Sequence, residues 1–169
     1  QKAIRELALQ IFTDRATDEF LLNFSRTDAT YDDELWSTLA EQGLLGICVP
    51  ETFGGTGLGF VELCSILEEQ GRRVAPVPIF ASLVLGGLPI AQFGTDAQKT
   101  QWLSPLAEGT VKLSAAIAEL GMTSAVAQTV TAKQEGGKWL LNGEKHAIQD
   151  GAVANCILVP ATDNNGKTS

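Results

Sequence analysis

The stretch from Ser114 to Ala127, "SAAIAELGMTSAVA", lies where a helix-like sequence gives way to a strand-like one. It carries a glycine and small hydroxyl residues, as an anion-binding loop does, because phosphate must come within hydrogen-bond range of backbone N–H groups. Leu120 and Met122, however, are greasier than such a loop needs. Whether this is a cofactor loop or the remains of one decides how the rest of the chain is read.

Upstream, residues 1–110 read as helices. Ile4, Leu7, Ala8, Ile11 and Phe12 recur at helical spacing and form one apolar stripe. "DDELWSTLAEQG" (32–43) opens with acids, which suit a helix N-terminus, and closes on Gly43, a natural residue just past a helix end. The loop "ETFGGTGLG" (51–59) holds four glycines, which predict flexibility or positive φ angles. "FVELCSILEEQGRR" (60–73) is a further amphipathic helix, and "PVPIFASLVLGGLPIAQFG" (76–94) a largely buried one. "TDAQKTQWLSPL" (95–106) begins with Thr95 and has Gln98 three residues on, which is a capping box.

Downstream, the period changes. "VKLSAAIA" (111–118) and "TVTAKQ" (129–134) alternate or carry β-branched residues, and "VANCILVPA" (153–161) is a buried-strand run. "KWLLNGEKHAI" (138–148) contains Asn142-Gly143, the strongest short hairpin signal. Four or five strands neither close a barrel nor cover a second sheet. The expected fold is therefore α+β: an all-α helical bundle over 1–110, then an incomplete antiparallel β-barrel domain over 111–169, the two together a piece of a longer chain.

Composition narrows the function classes. Hydrophobic residues make up 44% and charged residues 19% of the 169, which is ordinary globular material. The net charge of −8 is carried by residues 1–110, with 15 acids against 7 bases, while 111–169 balance at 5 and 5. Such a chain lacks the clustered Lys and Arg of nucleic-acid binders. The longest uncharged run, residues 74–94, is broken by three prolines and three glycines, which argues against a membrane span. Cys48, Cys64 and Cys156 have no CxxC spacing and lie in apolar runs, so buried free thiols in a reducing cytoplasm are expected. A single histidine, His146, cannot complete a Cys/His metal set, so no metal site is expected.

Three segments resemble a known family. "LWSTLAEQGLLGICVPETFGGTGLGFVELCSILEEQGR" (35–72) and "LPIAQFGTDAQKTQWLSPLAEGTVKLSAAIAE" (88–119) resemble the N-terminal helical domain of the acyl-CoA dehydrogenases, and "KWLLNGEKHAIQDGAVANCILVPA" (138–161) the start of that family's middle β-domain. The resemblance implies a flavoprotein that removes two hydrogens from the α and β carbons of an acyl-CoA thioester. The proton goes to a carboxylate, most often in a C-terminal helical domain, so no catalytic residue is expected within this chain. It also implies FAD as cofactor, an acyl-CoA substrate, a homo- or hetero-tetramer, and an electron acceptor such as an electron-transfer flavoprotein.

In typical members the loop matching 118–125 reads Thr-Glu-Pro-x-Ala-Gly-Ser-Asp. Here Glu119, Gly121 and Ser124 fit that pattern, while Ala118 replaces the flavin-facing threonine. Leu120, Met122 and Thr123 replace proline, alanine and glycine. After the lysine of "LNGEK", members carry aromatic-Ile-Thr-Asn-Gly; here stand Ala147, Ile148, Gln149, Asp150 and Gly151. The resemblance thus assigns cofactor contact to Ala118, Ser124, Ala147 and Gln149, with two motifs degraded in one chain. Two readings stay open: an ordinary dehydrogenase with an atypical flavin pocket, or the flavin-poor partner subunit of a heteromeric member acting on a bulky, steroid-side-chain-like CoA thioester. By position, Ala81, Ser82 and Leu85 are expected to face the acyl cavity, where small residues leave room for a bulky group.

Other features have plainer readings. His146 is expected at the surface or in a hairpin, the glycine loop as a structural turn without the Lys-Ser/Thr of a P-loop, and Trp36, Trp102 and Trp139 as core anchors. Glu68-Glu69 reads as a solvated helix face, and Arg72-Arg73 as cations favoured at a helix end.

Overall fold

The computed structural model describes residues 1–119 and 129–168. Its helical part has six α-helices: α1 (Lys2–Arg15), α2 (Asp18–Phe24), α3 (Asp33–Glu41), α4 (Phe60–Arg73), α5 (Leu88–Phe93) and α6 (Asp96–Ala107). Local chemistry sets their ends. Asp32 caps α3 by accepting the Leu35 N–H, and Gly43 follows with φ +71°. Thr95 and Gln98 close the capping box of α6 reciprocally. Thr17 caps the short α2, which the apolar spacing alone does not reveal.

The stripe along α1 buries Ala8 and Phe12 against α4, which contributes Leu63 and Ile66. Leu35, Trp36, Leu39, Leu103 and Leu106 continue this core, and the Trp36 indole N–H donates to the Gly109 carbonyl at 2.7 Å. Burying such side chains stabilises by about 2 kcal/mol each. Charge also joins α1 to α4. Arg5 donates to Glu69 at 2.8 Å and reaches Glu68 at 3.2 Å, while Arg72 pairs with Glu68 at 2.8 Å. Glu69 is therefore not on a solvated face; it is buried because two guanidiniums accompany it.

Between α4 and α5 the chain forms a helix of wide turns over Phe80–Gly87, in which the Leu88 N–H reaches back five residues to the Leu83 carbonyl. Pro89, next in line, has no N–H to give to the carbonyl of Leu85, so the regular ladder is interrupted here. The glycine loop is pinned rather than loose: Thr56, Gly57 and Leu58 donate their N–H groups to the carbonyls of Gly46, Val49 and Ile47.

Five strands follow: β1 (Leu113–Ala115), β2 (Thr131–Glu135), β3 (Lys138–Asn142), β4 (Cys156–Leu158) and β5 (Thr162–Asp163). They form two open sheets, β1-β4 and β3-β2-β5. Among the described strands β2-β3 pair antiparallel, while β1-β4 and β2-β5 run parallel, so the pairing is mixed rather than purely antiparallel. The hairpin turn is Gly136-Gly137, both at positive φ (+57° and +77°), as a tight two-residue turn demands. Asn142-Gly143 lies instead at the end of β3, where Gly143 comes so close to Val130 that a Cβ would meet its Cα at 2.8 Å.

Two sequence expectations fail at the surface. Trp139 is 58% exposed on the hairpin rather than a core anchor, although Trp36 is buried. Cys64 is exposed and only Cys48 and Cys156 are half-buried, because Cys64 falls on the outer side of α4. Among the described residues, no helix is long and apolar enough to cross a membrane.

Candidate functional site

The helical part and the first sheet meet along β1. Its buried Leu113 N–H donates to Ser82 Oγ at 3.3 Å, and Asn155 locks the start of the strand by exchanging hydrogen bonds with Lys112 at 2.7 and 2.8 Å. Alternation then sends successive residues to opposite sides. Ala115 and Ile117, with Cys156 and Leu158 beside them on β4, line a cleft of about 560 Å³. Its other wall is Leu85, Pro89, Ile90 and Phe93 from the wide-turn helix and α5, with Trp102 of α6. Ala116 and Ile157 point the other way, into a smaller hollow with Val130, Leu141 and Ile148.

Past Ile117 come Ala118 and Glu119, the described start of the first sequence motif, and they lie against the second. The His146 N–H donates to the Ala118 carbonyl at 3.0 Å. Beside it, Lys145 Nζ meets Glu119 Oε1 at 2.5 Å, with both side chains almost wholly buried (5% and 3% exposed). Glu119 also accepts the Thr129 N–H at 2.9 Å and the Thr129 hydroxyl at 2.6 Å. Hydrogen bonds from Lys145 and then Thr129 hold its carboxyl far below the usual range, at about 2. A third link comes from Ser114, whose hydroxyl donates to the Gln149 carbonyl at 2.6 Å.

Of the residues singled out in the sequence, Ala118, Ala147 and Gln149 are exposed and are brought together by these bonds. Ser124 lies outside the described residues. Ala147 and Asp150 adopt left-handed backbone, φ +50° and +52°; Asp150 is half-buried, and burial raises its pKa. Leu85 lines the cleft, whereas Ala81 and Ser82 are fully buried, Ser82 as the acceptor for β1. His146 is half-buried, 3.7 Å from Glu144. Sequence reasoning passed over Ala115, Ile117 and Thr129. The alternation of "LSAAIA" would have marked the first two, but nothing local marks Thr129.

The group implied by the resemblance can be tested against this geometry. A cleft of this size suits a small-molecule site, and its apolar wall fits a flat ring or an acyl chain. Gln98 is the polar side chain in its lining; Ala118, Ala147 and Gln149 lie outside that lining, the first two offering only methyls and Gln149 an amide that bonds to no described residue. The lining of the cleft therefore fits a ring or chain held by apolar contact, with the Gln98 side chain as its polar group.

Residues 1–110 match the family description "Acyl-CoA dehydrogenase, N-terminal domain". The chain belongs to the acyl-CoA dehydrogenase family. FadE12 of Mycobacterium tuberculosis, an acyl-CoA dehydrogenase, is 34% identical over 140 residues, covering 82% of this chain and 36% of FadE12. Among solved structures, the Tcur3481–Tcur3483 steroid ACAD aligns with a TM-score of 0.91 at 41% identity, over 98% of this chain and 45% of that one. The ChsE4–ChsE5 complex of Mycobacterium tuberculosis follows with a TM-score of 0.88 at 29% identity, over 98% and 44%. An acyl-CoA dehydrogenase complexed with FAD from Bacillus anthracis gives a TM-score of 0.85 at 31% identity, over 99% and 30%. The chain thus spans about a third to a half of the acyl-CoA dehydrogenases it resembles. Its helical first part and its open sheets align together with that steroid ACAD.

Proposed function

We propose that this chain supplies the helical module (1–110) and the first part of the β-module (111–169) of an FAD-dependent acyl-CoA dehydrogenase. The observation that carries the reading is the buried Glu119–Lys145 pair, which with the His146–Ala118 hydrogen bond holds the start of one motif against the other just past Ile117, a lining residue of the apolar cleft. Bound flavin would accept the hydride from the β carbon, and the α proton would pass to a carboxylate outside this chain. The residues here bind and orient. Leu85, Ala115 and Ile117 offer an apolar wall that excludes water, the Gln149 amide can meet a polar ring edge, and Glu119 with Lys145 fixes the main chain at Ala118. The proposed setting is a cytoplasmic tetramer passing electrons to a soluble acceptor such as an electron-transfer flavoprotein, with its three thiols kept reduced.

A second reading has its own support. Methyls at Ala118 and Ala147 stand where a hydroxyl and an aromatic would grip the ring, and two of the most similar structures are named as a steroid enzyme or as a complex of two chains. On this reading the chain is the flavin-poor subunit of a heteromer acting on a bulky CoA thioester. Absorbance in the flavin region separates the two. A full-length protein that is yellow when purified alone supports the chain's own pocket. One that is colourless alone and yellow only with a co-expressed dehydrogenase chain supports the heteromer. Protein that stays colourless and inactive toward a panel of acyl-CoA thioesters in both states refutes both.

A further inference from the structure

The wide-turn helix and β1 meet across a seam with no spare room. A Cβ on Gly86 would lie 2.3 Å from Leu113 Cβ and 3.3 Å from Leu113 Cα, far inside ordinary carbon–carbon contact at about 3.5–4 Å. Leu113 is fully buried, and its Cβ is fixed to the strand backbone, so no change of rotamer could make space. Ser82, one turn earlier on the same helix, accepts the Leu113 N–H. Two residues of the helix therefore seize one residue of the strand, one by the absence of a side chain and one by a hydroxyl. Immediately beside Gly86, Leu85 faces the cleft, whose opposite wall is Ala115 and Ile117 of the same strand line. Gly87 differs: a Cβ there would meet only the far end of Leu106, at 2.8 Å, besides its own helix.

We infer that Gly86 is a positioning residue, the bare spot that seats β1 on the wide-turn helix and so sets both the width of the cleft and the place of Ala115 and Ile117 along it, and with them the position of Ala118, which follows. The seating follows from the contact alone; its effect on flavin rests on the function proposed above. A methyl at 86 must lift the strand, widen the cleft and shift the start of the flavin-facing motif, while a methyl at 87 meets the tip of the buried Leu106 side chain and, less closely, the Ser82 carbonyl, and touches no atom of β1.

The test compares Gly86→Ala with Gly87→Ala in the full-length protein, purified with its co-expressed dehydrogenase chain where one is needed. Flavin retention and the flavin absorbance spectrum are measured beside amide hydrogen exchange of β1. For Gly86→Ala the flavin dissociation constant should rise about tenfold, with a changed spectrum and faster exchange over residues 114–117 than over α4. Gly87→Ala, at an equal or greater loss in melting temperature, should keep the native spectrum. Equal flavin loss in the two variants, or exchange rising as much in α4 as in β1, overturns the proposal. If the wild-type assembly holds no flavin, the functional reading fails, and the exchange comparison still decides the seating. Should Gly86→Ala not accumulate, Ser82→Ala serves: faster exchange over 115–117 with α4 unchanged supports the seating, and unchanged β1 refutes it.

Discussion

Lys145 and Glu119 form an ion pair at 2.5 Å in which neither side chain is more than 5% exposed. A buried pair is weak evidence for stability, since desolvation offsets much of the attraction, but breaking one partner strands the other charge. Glu119→Gln leaves the Lys145 ammonium beside an amide oxygen, and Lys145→Met leaves the Glu119 carboxylate with its Thr129 donors, so both variants should be destabilised. Both should unfold at lower urea concentration than the wild type. Equal midpoints for all three would show that the pair contributes nothing.

The same pair predicts an acid response. The folded carboxyl of Glu119 titrates at about 2 against an ordinary value of 4.5. Its contribution is fully present above the unfolded value and is lost as pH falls from about 4.5 through about 2. Urea unfolding followed between pH 5 and 2 should show wild-type stability falling more steeply than that of Glu119→Gln. Parallel curves would contradict the depressed titration.

Asp32 caps α3 and at the same time holds Arg15, through contacts of 2.6 and 2.9 Å. Burial pushes its carboxyl up, but the Arg15 guanidinium and the Leu35 amide more than offset this, and it titrates below the usual range. Asp32→Ala removes cap and counter-charge together and should cost about 3 kcal/mol. Asp32→Asn keeps the cap and should cost less. Thermal unfolding of both variants checks the order; the reverse order would sink the dual role.

Val74 follows α4 with φ +51° while 74% exposed, a left-handed conformation that a β-branched residue adopts at a cost. Among the described residues nothing packs on it enough to compensate. Val74→Gly should therefore stabilise the protein by about 1 kcal/mol, seen as a higher urea midpoint. A fall in the midpoint would mean that the side chain is needed where it stands.

Ala118 gives the proposed flavin edge no hydroxyl. Ala118→Thr should tighten flavin binding about two- to tenfold, the range of one neutral hydrogen bond, in whichever assembly holds flavin near this chain. Titration of apoprotein with FAD reads the change. Weaker binding in the variant would show that residue 118 does not face the ring.

Much of this architecture is written locally. Thr95 with Gln98, Asp32 with Gly43, and the run 60–73 each carry their own start or stop, so those helices are readable in isolation. Partnerships across the chain are not. Glu69 reads as a surface acid until Arg5, 64 residues away, is placed beside it. Asn142-Gly143 has the better turn chemistry on paper, yet Gly136-Gly137 makes the turn because it lets Thr131 face Asn142 and Glu135 face Lys138. The motif residues Ala118, Ala147 and Gln149 were nameable only through resemblance, and the bonds that join them depend on a fold that no local pattern encodes.

The hairpin β2-β3 leaves Trp139, Leu140 and Leu141 more than half exposed, on a strand whose outer edge pairs with no described residue. A flat, greasy border of that kind invites other polypeptides to add themselves to it. Residues 1–169 handled alone should therefore be sticky, forming concentration-dependent oligomers by light scattering, and Leu140→Lys should keep them apart.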